Sequence, residues 1–130
     1  MSLSKLTTII IVTINGKVSF AMINKLQKSY KIIIVENNND RDFKKKILSK
    51  FKNVSVLIPK KNLGFAGGNN MALKKVKTPF VLLLNPDVKI SIKNIKNLEL
   101  YSRKFNNFSI LAPNSNHFIE TINTNLDKGI

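Results

Sequence analysis

Four short apolar runs divide the chain: Thr8–Ile14, Ile32–Val35, Val54–Ile58 and Phe80–Leu84. They are rich in Ile and Val, and three of them lack polar alternation. Continuous apolar runs of this length predict strands buried on both faces of a parallel sheet. Segments with helical spacing fill the intervals. Val18, Met22 and Leu26 recur every four residues after Asn15-Gly16, and Phe43, Ile47, Leu48 and Phe51 follow Asp40, a residue suited to an N-cap. Met71, Leu73 and Val76 follow the Gly67-Gly68 pair less regularly and predict a third helix there. Ser91 is placed to cap a fourth, carrying Ile92, Ile95, Leu98 and Tyr101. Pro59 and Pro79 punctuate the connections on either side of the third segment.

The predicted order is β-α-β-α-β-α-β-α, which implies an α/β fold: an open, mostly parallel sheet with right-handed crossovers and helices on both faces. Residues 1–130 read as one domain, with a weakly patterned polar tail over 114–130. In such sheets ligands gather beyond the carboxyl ends of the strands. Four polar segments fall there: Thr13-Ile14-Asn15, Glu36 to Asp40, Asn62 to Asn70, and Asn85-Pro86-Asp87. Their coincidence on one edge is the site signal.

Length and charge narrow the picture further. The 130 residues fit a single domain able to bury a core. There is no cysteine, which excludes a disulfide framework and a thiolate metal site and fits a reducing compartment. Lys and Arg total 22 against 7 acids, a formal charge of +15. Such a field attracts polyanions, whether nucleic acid, anionic lipid or phosphorylated small molecules. The lysines run from Lys5 to Lys128, however, with only Arg41 and Arg103 as arginines, whereas nucleic-acid modules gather Arg and aromatics on one surface. No specific nucleic acid is expected. No run approaches the roughly 20 apolar residues of a membrane span, and Ile9–Val12 is too short for a signal-peptide core of about 7–15 residues.

Each polar segment admits a bland and a chemical reading. Asn62-Leu63-Gly64-Phe65-Ala66-Gly67-Gly68-Asn69-Asn70 is the most unusual string. Its glycines permit close backbone approach to a ligand, and the following helix offers unpaired N–H groups to a phosphate or sugar hydroxyl. It is equally readable as a loop and helix start, and matches neither the Walker loop nor the dinucleotide fingerprint. Asn85-Pro86-Asp87 ends a hydrophobic strand. Asp87 presents a carboxylate suited to a hard divalent cation, Mg²⁺ or Mn²⁺, whose shell phosphates and water complete. The same three residues make an ordinary turn. Glu36 at the tip of the second strand can accept hydrogen bonds from a ribose or a base, while Asp40 caps the next helix. His117, the lone histidine, has no second His or Cys for a zinc site and no partner for a catalytic triad.

Together these strings resemble the family 2 glycosyltransferases, in particular the bacterial rhamnosyltransferase-like branch. The resemblance runs through Ile10-Ile11-Val12-Thr13-Ile14-Asn15, Ile34-Val35-Glu36-Asn37-Asn38, Asn62 to Asn70, and Leu82-Leu83-Leu84-Asn85-Pro86-Asp87-Val88, to a further strand-like Ile110-Leu111-Ala112-Pro113. It covers roughly residues 7 to 113.

The resemblance implies a GT-A (Rossmann-like) fold, truncated at the C-terminus, that binds a UDP- or dTDP-linked sugar and transfers it with inversion. It implies a divalent cation at Asp87, where the family's DxD motif falls. The donor-binding set would be Thr13, Asn15, Glu36, Asn38, Asn62, Gly64, Gly67, Gly68, Asn69 and Asn85. Glu36 stands where the family commonly has Asp, and Ile14 where it often has Tyr, so any stacking there is lost. The acceptor would be a saccharide or lipid-linked, as in cell-surface polysaccharide synthesis.

The family's general base is an acid well beyond the metal motif. The acids after Asp87 are Glu99, Glu120 and Asp127, and none matches a base motif. The catalytic base is unassigned and the acceptor-binding half is expected to be missing. Two other readings stand beside the enzyme: a non-catalytic nucleotide-sugar module completed by another chain, and a basic nucleic-acid-binding α/β domain. A cytoplasmic location is expected, with peripheral contact at the anionic inner face of a membrane as a further expectation from charge. A homo-oligomer stays open.

Overall fold

A computed structural model describes residues 2–105, 107–108 and 110–112. The chain alternates β1 (Thr7–Thr13), α1 (Phe20–Leu26), β2 (Lys31–Glu36), α2 (Arg41–Lys50), β3 (Val54–Leu57), α3 (Gly64–Leu73), β4 (Phe80–Leu83) and α4 (Ile92–Lys104). All strands are parallel, in the order β3-β2-β1-β4. This is the α/β architecture the apolar runs predict.

Burial on both faces explains the continuous runs of β1 and β2, whereas β3 alternates buried with half-buried residues and no residue of β4 is fully buried, because these two strands are the edges of the sheet. Every residue of β1 is buried, and so are Ile32 to Glu36 of β2. One face carries Ile9, Ile11, Ile32, Ile34, Val54 and Val56 against Met22, Ile23 and Leu26 of α1, Phe43 and Ile47 of α2, and Ile95 of α4. The other carries Ile10, Val12, Ile33 and Val35 against Ala72 of α3. Each fully buried isoleucine side chain contributes on the order of 1.5–3 kcal/mol. The β-branched residues also suit the pleated backbone.

Helix starts follow their caps. The Ser19 side chain accepts from the Met22 N–H, Asp40 from Phe43 and Ser91 from Asn94, so three of the four helices begin on a side-chain oxygen. The helix predicted to follow Gly67-Gly68 begins earlier. The glycine string itself forms the first turns of α3, and the cap position falls on Leu63, with no side-chain cap bond. The cause is close packing. A Cβ on Gly68 would stand 2.9 Å from Val12 Cγ1, so the helix can lie against β1 only with hydrogen at that position. The residues α3 buries are Gly68, Asn69 and Ala72, whereas Leu73, predicted to face the core, is exposed.

The remaining differences are small. The first strand starts at Thr7 rather than Thr8, Ile14 lies outside it and is 46% exposed, and Val18 packs on the core from the loop before α1. Ile110 to Ala112 form no strand, and Pro113 lies outside the described residues, as do His117 and 114–130. No described helix is long and apolar enough to cross a membrane.

Candidate functional site: the carboxyl rim of the sheet

The topology fixes where a ligand would sit. The chain steps from β1 to β2 to β3 in one direction, with α1 and α2 on one face. It then returns along the other face through α3 to place β4 on the far side of β1. The strand order therefore reverses between β1 and β4, and open α/β sheets bind ligands at that crevice. Thr13 pairs with Glu36, so β1 and β2 end level. Pairing of β4 stops at Ile10 opposite Leu83, and Leu84 N–H donates to the Ile10 carbonyl at 2.9 Å. Asn85-Pro86-Asp87 thus leaves the sheet beside β1, on the carboxyl edge where the Asn15 loop also emerges.

Glu36 organises this edge. It is completely buried, and its carboxylate accepts from three backbone N–H groups. Asn15 N–H donates to Oε1 at 2.8 Å, Asn38 N–H lies 3.2 Å from both oxygens, and Asp40 N–H donates to Oε2 at 2.6 Å. The carboxylate expected to face a ribose or a base faces the protein's own loops. Its bonds hold Asn15 and the two residues flanking Asn39, and Asn15 and Asn39 both lie in the left-handed region, at φ +56° and +58°. That region suits Asn better than most residues. The Asn38 side-chain amide donates to Asn15 Oδ1 and closes the bridge between the first two loops.

Asn37 does the same on the other side. Successive strand residues face opposite sides of a sheet, so Asn37 turns toward α3. Its Nδ2 donates to the Gly64 carbonyl at 3.0 Å, and its Oδ1 accepts from Leu63 N–H at 3.3 Å. The sequence reading passed over Asn37 as a site residue. The alternation beyond Glu36 was the signal that could have found it.

The other expected residues divide into two sets. Thr13 is buried and donates to the Lys17 carbonyl at 3.2 Å, shaping its own loop. Asn69 is buried, and its Nδ2 donates to the Phe65 carbonyl inside α3. Gly67 faces Leu63, where a Cβ would come within 2.8 Å, and Gly68 packs on Val12. These positions are taken up by the fold. The exposed set is Asn15, Asn38, Asn62, Gly64, Asn85 and Asp87. Asn62 Oδ1 accepts from Gly64 N–H at 2.8 Å, and Gly64 takes φ +71° with open space around it, a conformation that favours glycine.

Among the described residues the fourth loop is tied by its backbone alone. Val88 N–H closes a turn onto the Asn85 carbonyl at 3.1 Å. Among the described residues no side chain bonds Asp87, and no three His, Cys, Asp or Glu gather into a metal cluster. One free carboxylate beside an Asn amide fits a hard cation whose remaining ligands are phosphate oxygens and water.

Glu99 lies at the wrong end to serve as a base here. It accepts from Thr7 Oγ1 at 2.8 Å and Ser4 Oγ at 3.2 Å, at the amino edge of β1. Burial pushes the nearby Tyr30 phenol up to about 12, and Glu99 adds to the rise through its charge and as a hydrogen-bond partner. Glu120 and Asp127 lie outside the described residues. A cavity of about 500 Å³ lined by Phe80, Leu82, Ile95, Leu98 and Leu111 also lies off the rim, between β4, α4 and residues 108 and 110–112. Topology and hydrogen bonding, rather than that hollow, mark the site.

The family's sequence model, Glycosyl transferase family 2, matches residues 8–114. The chain belongs to this family. The match takes in all four rim loops. Among solved structures, the crystal structure of S. aureus TarS 1–349 is similar, with a TM-score of 0.60 at 22% identity over 76% of this chain. That likeness shows a shared GT-A-like fold. The chain spans 32% of the TarS chain. No curated protein matches it.

Proposed function

We propose that this family 2 chain is the donor-binding part of a glycosyltransferase, gripping a UDP- or dTDP-linked sugar across the β1/β4 crevice. One observation carries the reading. An exposed carboxylate, Asp87, to which no described side chain bonds, emerges at the reversal point of the sheet beside loops that Glu36 and Asn37 hold together. Asn15 and Asn38 offer amides on the nucleoside side, and Asn62 and Gly64 offer polar groups at the start of α3. Asp87, with Asn85 beside it, would hold Mg²⁺ or Mn²⁺. Such an ion supplies charge stabilisation to the diphosphate leaving group. The residues themselves bind and orient the donor. An acceptor hydroxyl, on a saccharide or lipid-linked acceptor, would attack the anomeric carbon with inversion. The likeness to the rhamnosyltransferase-like branch supports dTDP-rhamnose among the donors to test.

The position of Glu99 favours a second reading. Glu99 is the one described acid after Asp87, and it sits at the opposite edge. No described acid after Asp87 therefore lies at the rim to serve as base for an acceptor hydroxyl, so turnover would draw on another group, in this chain or another. A non-catalytic module completed by a second chain binds donor equally well and differs only in needing that partner for transfer.

The deciding experiment titrates UDP-glucose, UDP-galactose and dTDP-rhamnose with and without Mn²⁺, using wild type and Asp87→Ala. Metal-dependent binding by wild type alone is the expected result. Equal binding by both proteins would reduce Asp87 to a turn residue. The charge of +15, and a groove of about 340 Å³ lined by Arg41, Lys44 and Lys45, support peripheral contact with anionic lipid. Sedimentation with phosphatidylserine vesicles at low salt tests this, and no preference over neutral vesicles would remove it.

A further inference from the structure

We infer that Glu36 and Asn37 are a paired positioning device, two successive side chains at the end of β2 that set the shape of three ligand loops without touching the ligand. The geometry points to this from both sides of the strand. Glu36 reaches the β1–α1 loop through Asn15 N–H and its own β2–α2 loop through Asn38 and Asp40 N–H. Asn37 reaches the β3–α3 connection through Leu63 N–H and the Gly64 carbonyl. Because β2 lies between β1 and β3, its last residues are the ones able to reach both neighbours. Both side chains are buried, at 0% and 4% exposure, so neither offers a free face to solvent.

The division of labour follows from alternation. Glu36 shares its face with α1 and α2, and Asn37 shares the other with α3. The donor-facing groups would then be those the pair positions, the Asn15 and Asn38 amides and the backbone at Gly64. A carboxylate at Glu36 is required because all its partners are N–H donors. A Gln amide would present N–H to N–H at one oxygen site. The chain length is required too. Asp, one methylene shorter, can still serve the local Asn38 and Asp40 amides but falls short of Asn15 across the gap to β1.

The functional half of this inference rests on the donor-site reading, so two independent measurements are needed. Amide hydrogen exchange in ligand-free protein reads the clamp alone. Glu36→Gln should speed exchange at Asn15 and Asp40 by tenfold or more, on the order of one lost charge-assisted bond, and leave Ile10 and Ile33 unchanged. Glu36→Asp, which keeps the charge should Glu36→Gln unfold, should speed Asn15 alone. Unchanged exchange in these variants would overturn the clamp.

UDP binding with Mn²⁺ then reads the consequence. Affinity should fall about tenfold in Glu36→Gln and in Asn37→Ala. The penalty for 3-methyl-UDP or 2′-deoxy-UDP relative to UDP should be the same in wild type and Glu36→Gln, since the carboxylate touches neither group. A penalty that disappears in Glu36→Gln would mean direct contact and would overturn the positioning role. Failure of wild type to bind any nucleotide would sink the donor reading and the role toward it, while the exchange result would still judge the clamp.

Discussion

The two sides of the β1/β4 crevice are built differently. On the β1–β2–β3 side, three loops are knitted by Glu36, Asn37 and the Asn15–Asn38 bridge, above β1 and β2 buried on both faces and β3 buried on one. On the β4 side, Asn85-Pro86-Asp87 is held by backbone turns, above a strand of intermediate burial whose Leu83 is 49% exposed. The contrast teaches where order is intrinsic. The knitted side has its shape before any ligand arrives, which lowers the entropic cost of binding there. The β4 side offers an exposed carboxylate on a loop that no described side chain ties down.

The largest expected effect breaks the comparison at its base. Ile34→Ala, in the middle of β2, should cost about 2–5 kcal/mol in urea unfolding, while Leu83→Ala should stay within about 0.5 kcal/mol. Equal costs would mean that the β4 flank is as firmly packed as the centre. Next, Gly68→Ala should destabilise by about 1–3 kcal/mol through overpacking against Val12. A neutral result would show that α3 can lift from β1 without penalty. Asp87→Ala belongs at the other extreme: a stability change under about 0.5 kcal/mol, despite the loss of metal-dependent donor binding. A large loss of stability there would show that the fourth loop is structural.

The last effect is confined to alkaline pH. Tyr30 is neutral when protonated, and its folded-state value of about 12 lies above the ordinary phenol value of 10.0. The folded protein holds the proton more tightly, so this contribution to stability is intact below pH 10. It declines as pH rises through 10 toward 12 and is lost above 12. Urea midpoints for wild type and Tyr30→Phe should converge across that window. A constant difference would mean that burial of the Tyr30 phenol does not hold its proton in the folded protein.

Much of this was legible in the residue order. The four Ile/Val runs became the four parallel strands, and Asp40 and Ser91 capped the helices expected of them. The start of α3 was not legible, because a glycine-rich string reads as a loop by propensity. Only the approach of Val12 from β1 explains a helix there. Glu36 was noticed for its position but assigned to a ligand. A carboxylate at a strand tip looks the same in sequence whether its hydrogen-bond donors are a sugar or the protein's own amides.

Periodicity and composition alone therefore determined which segments become strands and helices, that the sheet is parallel, and which loops gather at its carboxyl edge. These follow from local spacing and from the need to bury apolar side chains. Tertiary structure decided which polar residues face outward and which are consumed in holding loops together. Glu36, Asn37, Thr13 and Asn69 are spent inward, whereas Asn15, Asn38 and Asp87 remain exposed. That division depends on which donors lie within about 3 Å of each side chain, and one of those at the Glu36 carboxylate, the Asn15 N–H of the β1–α1 loop, comes from 21 residues away along the chain.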